Sequence, residues 1–456
     1  MKKILLLSLL MLHIGVYAND AQALRDSILS VINGAESQRH AVSSQRKVNI
    51  TKFGAKGDGV TNCKPAFDKA IKKARSYMQG LHIVVPEGKW FIKGPIHLAS
   101  NVTIELQRGA TLLFSPNPND YLPIVPTSWE GSFCYNYSPF IYGYKLQNVA
   151  IIGEGSIDGN CMETFPTWRA KQKTDQQRLR KQDHDETAIG ERRYGAGSYL
   201  RPQLIQFYEC KDITISGVFI TNSPFWCVHL LCCENVICRG LRYDAKLINN
   251  DGIDPEMTRN LLIEDIDFNN GDDNVAIKAG RDNDGWLKAR PSENIIIRNC
   301  HFKGLHGVVI GSEMSAGVRN VFVEDCDYAG YVKRGLYIKT NPNRGGFVNN
   351  IFFNRCKFGE VEDLFYITSM YAGEGADDNH FTDVHDIHVS DVSCESAKAA
   401  AIVLQGTEAK PLYNISFRNV NVGKAAVGYA SMNTLDVVLQ NCNLGGSVTG
   451  APSQAQ

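Results

Sequence analysis

Four segments of the sequence carry side chains that can exchange protons or bind an anion, and the four align with one another. They are Asp251-Gly-Ile-Asp-Pro-Glu, Asp273-Asn-Val-Ala-Ile-Lys, His306-Gly-Val-Val-Ile-Gly and Arg334-Gly-Leu-Tyr-Ile-Lys. The third and fifth positions are apolar or proline, which is the alternation of a strand with one buried face. In this register Asp251, Asp273, His306 and Arg334 share one position, so strands about 4.8 Å apart would stack them.

Asp272 precedes Asp273, so the aligned strands would gather three carboxylates beside a histidine. Each aspartate taken singly has a simpler explanation, because Asn-Asn-Asp-Gly and Gly-Asp-Asp are good turn sequences. Close carboxylates repel and hold protons on one another, so gathering them without a function would cost stability. Glycoside hydrolysis needs such a set, in which one carboxyl donates a proton and another activates water. The predicted catalytic residues are Asp251, Asp272, Asp273 and His306. Beside them, Asp254, Lys278, Tyr337 and Lys339 should point outward.

A repeated pattern indicates which elements hold these strands in register. An Asn or Asp precedes residues that alternate towards Val, Ile, Leu or Phe, and from Asp212 onward the copies lie 22 to 36 residues apart, by subtraction of their positions. Short strands at this period are typical of a solenoid, in which turns stack because no turn buries its own apolar face. The Asn or Asp of each copy should stack on that of the next turn and satisfy backbone groups. The copies begin at Asn101, Asn148, Asp212, Asn235, Asn260, Asn294, Asn320, Asn350, Asp386, Asn414 and Asp436.

The thirteen cysteines partly follow this repeat. Cys300, Cys326, Cys356 and Cys442 each lie six residues after the Asn or Asp of their copy, where other turns carry Val, Leu or Ile. A cysteine at an inward position acts as a small hydrophobe. We therefore expect free buried thiols at these four positions, although the chain is predicted to be exported.

Three segments lie outside the repeat. The N-terminus has the form of an export signal, with Lys2 and Lys3 before an apolar stretch too short to span a bilayer and Val16-Tyr17-Ala18 at the cleavage site. We therefore expect a secreted or periplasmic protein. A charge-rich segment between two turns is either a lid or a solvated loop. The predicted divisions are 1–18 as signal peptide, 19–47 as an N-terminal cap or linker with helical character, and 48–450 as a catalytic β-helix with 163–201 as an inserted loop.

Four ordered motifs resemble glycoside hydrolase family 28, the polygalacturonases. They are Asn249-Asn-Asp-Gly, Gly271-Asp-Asp, His306-Gly and Tyr337-Ile-Lys. In addition, Phe53-Gly-Ala-Lys-Gly-Asp-Gly-Val-Thr resembles the signature of the wider pectin-degrading β-helix superfamily, and Gly311-Ser-Glu-Met-Ser resembles the exo-acting branch. The resemblance runs from about residue 48 to about residue 440. It implies an all-β fold, the right-handed single-stranded parallel β-helix, and an inverting hydrolase that needs no metal or other cofactor.

By position, the resemblance implies Asp272 as general acid and Asp251 with Asp273 as the groups that hold and activate water. His306 would support protonation of the acid, and Lys339 would bind a substrate carboxylate. Two residues depart from the family pattern: Asn250 replaces a Thr, and Tyr337 replaces the Arg of an Arg-Ile-Lys motif. Either Arg334 replaces that arginine, or Tyr337 stacks on a sugar whose carboxylate is modified or absent. The candidate substrate-binding residues are Asn249, Lys339, Tyr337, Arg334, Lys278 and His229.

The charge composition argues against nucleic acid as a binding partner. Lys+Arg and Asp+Glu both total 48, without a block of like charge, whereas nucleic-acid binding needs a basic face. The expected partner is a pectic polysaccharide or oligosaccharide, and we expect a monomer without a membrane anchor. Homogalacturonan, rhamnogalacturonan and xylogalacturonan fragments all remain candidate substrates. Two alternatives stay open: a lyase of the same fold, whose aspartates would bind Ca²⁺, and a non-catalytic carbohydrate-binding β-helix.

Overall fold

The computed structural model describes residues 20–38, 46–77, 79–372, 379–449 and 454–455. The chain winds into a right-handed parallel β-helix, as predicted, and successive turns pair in register. Each turn passes through up to three parallel sheets, which we call the ladder, side and site sheets. Inward side chains of all three form one continuous apolar core.

The ladder sheet contains the strands that follow the repeated Asn or Asp. Its strands are Arg46–Asn49, Leu81–Val85, Val102–Leu106, Gln147–Gly153, Lys211–Ser216, Glu234–Arg239, Arg259–Glu264, Ser292–Arg298, Val318–Glu324, Phe347–Asn354, Thr434–Gln440 and Gln454–Ala455. The side sheet comes next in each turn. Its strands are Gly88–Ile92, Ala110–Phe114, Ser156–Asp158, Phe219–Thr221, Arg242–Asp244 and His301–Phe302.

The site sheet closes each turn and carries the aligned Asp, His and Arg residues. Its strands are Ile96–His97, Ile141–Tyr144, Ile205–Tyr208, Val228–Leu231, Ile253–Glu256, Asn270–Ile277, Gly304–Gly311 and Ser447–Thr449. In later turns the bends are extended enough for one strand to pass through more than one sheet. These long strands are Asp327–Lys339, Lys357–Thr368, Asp383–Gln405 and Leu412–Met432.

The predicted ladder of Asn and Asp residues is confirmed. The side-chain amide of Asn148 donates to Asn101 at 2.8 Å, and the same bond joins Asn260 to Asn235 at 3.1 Å and Asn320 to Asn294 at 2.9 Å. All eleven residues of the repeat have φ between 50° and 60°. Asn and Asp enter this left-handed region more readily than other side chains. The Asn or Asp at this one position of each turn therefore fixes both the bend and the stacking of turns.

The prediction of free thiols is also confirmed, since all thirteen cysteines are free. Cys300, Cys326 and Cys356 are buried, as expected for inward positions of consecutive turns. Cys442 is only half-buried.

The N-terminal helix differs in place from the predicted cap. Residues 20–38 are helical, but Ile28 and Ile32 pack against the outer surface of the ladder sheet instead of over the end of the solenoid. Five consecutive turns present an outward apolar side chain there, and these need cover from water. They are Ile237, Leu262, Ile296, Phe322 and Phe352. The first turn is instead covered by the helix Lys64–Ala74, whose Phe67 and Ile71 enter the main core.

The inserted segment 163–201 is folded, which rules out a merely solvated loop. It contains the helix Lys173–His184 between the short 3-10 helices Phe165–Ala170 and Ile189–Glu191. It packs on an antiparallel hairpin, Val125–Trp129 with Ser132–Asn136, that the sequence did not predict. The remaining helices are Ile50–Phe53, Pro118–Tyr121 and Asp282–Lys288. No helix among the described residues is long and apolar enough to cross a membrane.

Candidate active site

The predicted register of the site sheet is confirmed. Asp273 pairs with His306, and His306 pairs with Arg334 on the following strand. The N–H of Gly252 donates to the carbonyl of Asp273 at 2.9 Å, which sets Asp251 beside Asp273. The Asp, Asp, His and Arg positions therefore lie on four neighbouring turns of one face.

A β-bulge explains how the adjacent residues Asp272 and Asp273 serve one site. Side chains alternate along a regular strand, so neighbours would face opposite ways. The register of Asn270–Ile277 against Gly304–Gly311 shifts by one residue before Asp273, and such an extra residue re-aims a side chain. Gly271 permits the bulge, because a Cβ there would lie 2.5 Å from the carbonyl oxygen of Leu247. Asp272, Asp273 and His306 consequently offer polar atoms within 4.8 Å of one another.

Asp273 is held in its ionised form. Its two oxygens lie 2.6 Å from Nδ1 of His306 and 3.2 Å from the ammonium of Lys339. Burial alone would raise the pKa of Asp273, but Lys339 and His306 outweigh burial and hold the pKa well below its usual range. This carboxylate is therefore suited to accept a proton or to hold a water molecule.

Asp272 has the opposite tendency. Burial and the neighbouring charge of Asp273 raise the pKa of Asp272, which favours a carboxyl that keeps its proton. One oxygen of Asp272 accepts the side-chain amide of Asn249 at 3.2 Å, and the other accepts the N–H of Asp273 at 3.1 Å. Asp272 remains half-buried and so is reachable from the groove.

Asp251 and Asp254 are buried in the adjoining turn. Burial raises the pKa of both carboxyls well above the usual range, and the neighbouring charges of Asp272 and Asp273 raise both further. One oxygen of Asp251, both oxygens of Asp254 and Nε2 of His306 have no hydrogen-bond partner among the described residues. Buried polar atoms are normally paired, so these orphaned atoms mark the place where water or a polar ligand completes the site.

Cations and a further carboxylate surround this centre. The Lys278 ammonium lies 3.3 Å from Glu313 and 3.9 Å from Asp254, and the Arg281 guanidinium lies 3.6 Å from Glu313. Burial would raise the pKa of Glu313, but Lys278, Arg281 and Arg344 hold it well below its usual range. Sequence reasoning missed Glu313 as a site residue, although Gly311-Ser-Glu-Met-Ser had been singled out as a motif.

A structure that we call the N-terminal wall lies beside the carboxylates and contacts the site sheet from the turn of Gln206 to the turn that ends in Asp284. It consists of the hairpin 125–136 and the insertion 163–201. The hairpin is fastened to the site sheet, since Thr127 donates to Gln206 at 2.9 Å and Ser128 donates to Glu256 at 3.0 Å. A second buried apolar cluster joins the wall to the solenoid, where Phe225 and Trp226 meet five residues of the wall, namely Trp129, Cys134, Leu179, Tyr194 and Leu200. Trp226 reaches the centre, because the Lys278 ammonium lies 4.7 Å from its ring.

The other side of the carboxylates is lined by tyrosines. The Arg334 guanidinium lies over the rings of Tyr337 and Tyr366, at 4.3 and 4.1 Å from their centroids, and pairs with Asp363 at 3.1 Å. Because Arg334 is held in this way, it is not a free replacement for the family's missing arginine. Tyr337 is largely buried, whereas Tyr371 is 37 % exposed and forms the outer part of this aromatic surface.

His229 does not fit the predicted role in substrate binding. Its side chain is fully buried, and its ring nitrogens lie 2.8 Å from Gln206 and 2.8 Å from Glu256. Because both nitrogens are engaged, His229 positions Glu256 beneath the hairpin and does not face the groove. The other five predicted substrate-binding residues, namely Asn249, Lys278, Arg334, Tyr337 and Lys339, lie at or beside the carboxylate centre.

Three groups of the centre have the donor atoms of a metal site, namely Asp272, Asp273 and His306. The chemistry of this set fits proton transfer better than a hard cation. The Lys339 ammonium already neutralises Asp273, and the hydrogen bond between His306 and Asp273 engages the histidine nitrogen nearest to the carboxylates. That the reaction needs no metal stays a prediction.

Two adjacent carboxyls whose pKa values are shifted in opposite directions, on a β-helix, are the arrangement that a glycoside hydrolase needs. The chain belongs to the glycosyl hydrolases family 28, whose sequence profile matches residues 80–442. A second profile, rhamnogalacturonase A/epimerase, pectate lyase-like, matches residues 47–105. The predicted family, fold and enzyme class are therefore confirmed.

Individual relatives agree with this assignment. A probable polygalacturonase of Vitis vinifera is 31 % identical over an alignment of 396 residues that covers 83 % of this chain and 74 % of the relative. An exo-poly-alpha-D-galacturonosidase of Dickeya chrysanthemi is 28 % identical, covering 85 % of this chain and 69 % of the relative. The solved structure of a hyperthermoactive exopolygalacturonase from Thermotoga maritima is similar with a TM-score of 0.80 and 35 % identity, covering 91 % of this chain and 96 % of the relative.

Proposed function

We propose that the chain is an exported, exo-acting hydrolase that cleaves galacturonic-acid-containing pectic polysaccharide or oligosaccharide in a single inverting displacement. The observation that carries the proposal is the opposite shift in the pKa values of two adjacent carboxyls. Burial and the charge of Asp273 raise the pKa of Asp272, while Lys339 and His306 lower the pKa of Asp273. One site thus holds an acid and a base together, which is what cleavage of a glycosidic bond requires.

In the proposed reaction Asp272 donates its proton to the leaving glycosidic oxygen. Asp273, fixed by His306 and Lys339, accepts a proton from the attacking water. Asp251 lies in the preceding turn and helps to hold this water through its unpaired oxygen. Asp273 is the more readily ionised of the two, whereas an ionised Asp251 would bind a proton more strongly, so the two carboxylates together are proposed as the base.

The stereochemistry is a demanding test of this assignment. Inverting glycosidases usually separate their two carboxyls by roughly 6.5–9.5 Å, and retaining ones by about 5–5.5 Å. Asp272 and Asp273 offer oxygens within 4.8 Å of each other, which is shorter than the expected inverting separation. Inversion is nevertheless proposed, because His306 and Lys339 engage both oxygens of Asp273 and disfavour its attack on carbon. NMR of the first product anomer decides between the two outcomes.

The substrate class rests on charge and on the relatives. Lys278 and Lys339 supply buried cations beside the carboxylates, and a buried cation favours an anionic ligand such as galacturonate. The relatives from Vitis vinifera, Dickeya chrysanthemi and Thermotoga maritima are named for polygalacturonase, exo-poly-alpha-D-galacturonosidase and exopolygalacturonase activity.

The exo mode rests on the N-terminal wall. The wall rises two turns before Asp251 and is fastened to Gln206, Glu256 and Asp284. A groove closed on one side admits a chain end and stops a polymer from passing through. Endo-acting proteins also occur among the relatives, for example an endo-polygalacturonase of Pectobacterium carotovorum. The proposal of exo-action therefore rests on the N-terminal wall and not on membership of the family.

Export is proposed from the predicted signal peptide, residues 1–18, which lie outside the described residues. N-terminal sequencing of the protein recovered from the periplasm or medium tests this, and an N-terminus at Met1 would contradict it.

The decisive experiment is product analysis on polygalacturonate, rhamnogalacturonan and xylogalacturonan. We expect galacturonate monomer from at least one of the three, without a product that absorbs in the ultraviolet. An ultraviolet-absorbing unsaturated product would instead indicate a lyase. Binding without turnover on all three substrates would favour the non-catalytic alternative.

A further inference from the structure

One arginine links the insertion to the proposed acid. Arg201, the last residue of the insertion, is fully buried, and its guanidinium lies 4.9 Å from the centroid of the Phe225 ring. Its Nε donates to Gln172 at 3.2 Å, within the same insertion. Its terminal nitrogens donate to the carbonyl of Ile248 at 3.0 Å and to the side-chain oxygen of Asn249 at 2.6 Å.

These bonds fix the orientation of Asn249. An arginine has five donors and no acceptor, so the amide oxygen of Asn249 must face Arg201. The amide nitrogen must then face the other way, where it donates to Asp272 at 3.2 Å. An asparagine without such a partner could turn its amide over and present an oxygen to the carboxyl. Arg201 therefore determines which atom Asp272 meets.

We propose that Arg201 is a positioning residue that acts through Asn249 on the protonation of Asp272, so that the insertion tunes the acid as well as bordering the groove. This inference rests on the proposed function, because it takes Asp272 as the proton donor. A donor to the carboxylate and a cation behind that donor both favour the ionised form. They limit how far burial and repulsion raise the pKa of Asp272.

Arg201 can supply this charge at neutral pH. Burial lowers its pKa to about 10, which leaves the guanidinium charged throughout the working range of a hydrolase. Asp272 also faces Asp273 on its own strand, Asp251 on the preceding strand, and the side chains of His306, Lys339 and Lys278. The charge of Arg201 also acts on Asp251, so the Asn249→Ala background is needed to separate the contribution that passes through Asn249.

The test is the pH profile of kcat/KM, whose alkaline limb reports the acid in the free enzyme. Arg201→Gln removes the charge, so the pKa of Asp272 rises and the alkaline limb should move up by about half a pH unit or more. The less firmly held acid should also lower kcat by about tenfold. Arg201→Lys keeps the charge, so the alkaline limb of this variant should lie close to its position in the unmodified protein. In an Asn249→Ala background, Arg201→Gln should shift the alkaline limb little further, because the path from Arg201 through Asn249 to Asp272 is already lost.

Arg192→Gln is the matched control. Arg192 is equally buried in the insertion but pairs with Asp284 at 2.6 Å, so its loss should destabilise the wall without moving the limb. An unshifted limb in folded Arg201→Gln, or an equal shift in Arg192→Gln, would overturn the inference. If Arg201→Gln does not fold, Asn249→Ala alone gives the same comparison, and an unshifted limb there would overturn it too.

A measurement without turnover separates this inference from the proposed function. The carboxyl pKa of Asp272 can be read by ¹³C NMR of aspartate-labelled protein, with the signal assigned from Asp272→Asn. A higher pKa in Arg201→Gln supports the link even if pectic substrates are not hydrolysed. An unchanged pKa in an enzyme that hydrolyses them rejects the link and leaves the proposed function standing.

Discussion

The two sides of the carboxylate centre are built on the same repeated strand but differ in what lies above it. On the N-terminal side the hairpin 125–136 and the helix Lys173–His184 cover the site sheet with a second apolar core. On the other side the sheet itself is the surface, and outward tyrosines such as Tyr337 and Tyr371 line it. The solenoid therefore supplies the position of the chemistry, and the added segments determine which substrates reach it.

The largest expected effect on turnover comes from a substitution in the carboxylate centre, between the two sides. Asp272→Asn keeps the size of the side chain but cannot act as a carboxylic acid, so kcat should fall at least about 10²-fold. Steady-state kinetics with galacturonate oligomers measures this, and Asp267→Asn on the exposed side sheet is the matched control. Near-normal turnover in a folded Asp272→Asn protein would remove the basis for the acid assignment.

The next effect concerns the N-terminal wall. Deleting residues 170–195 should open the groove and shift the products from monomer towards longer oligomers. The deletion also removes Gln172, which holds Arg201, so product length and not rate is the proper readout. Monomer as the sole product of the folded deletion variant would show that the wall does not set the mode.

A smaller change tests the same wall without a deletion. Leu179→Ala removes a buried side chain from its apolar cluster and should cost about 2–5 kcal/mol in the free energy of unfolding. Loosening the wall should give a minor share of longer products. Leu262→Ala makes an equal cavity under the N-terminal helix and should lower the Tm without altering the products. Identical products from both variants would argue against a role of the wall in determining product length.

The tyrosine side should give a modest effect. Tyr371 is the exposed member of the aromatic surface, and stacking on a sugar contributes roughly 1 kcal/mol. Tyr371→Ala should raise KM for pectic oligomers several-fold and leave kcat nearly unchanged. Tyr331→Ala, an equally exposed tyrosine outside the site sheet, is the control. A fall in kcat without a change in KM would place Tyr371 in a different role.

The smallest expected effect is none at all. Activity should survive EDTA, because the proposed reaction moves protons between carboxyls and uses no Lewis acid. Calcium added back afterwards should change nothing. Complete loss with EDTA that Ca²⁺ restores would favour the lyase alternative and reassign Asp272 and Asp273 as ligands.

The stacked strands that carry the carboxylate centre were largely predictable from the sequence. The Asn and Asp repeat sets the register, and the register alone stacks Asp251, Asp273, His306 and Arg334. The N-terminal helix had a signal that went unused: Ile237, Leu262 and Ile296 make their strands apolar on both faces, which implies an outer covering.

The walled side was not predictable in the same way. The hairpin 125–136 has no alternation that distinguishes it from a loop, and its fastening points on Gln206 and Glu256 are distant in sequence. The contact of Arg201 with Asn249 likewise joins residues 48 apart. Such contacts follow from tertiary packing, which a local pattern does not encode.

The most direct test of the account follows polymer viscosity and reducing ends together during hydrolysis of polygalacturonate. A groove closed by the N-terminal wall releases monomer from a chain end, so reducing ends should accumulate while viscosity falls slowly. Chromatography of the earliest samples should contain galacturonate as the main product. A rapid loss of viscosity with mixed oligomers from the start would contradict the account, because it would mean that the polymer passes freely across both sides of the carboxylate centre.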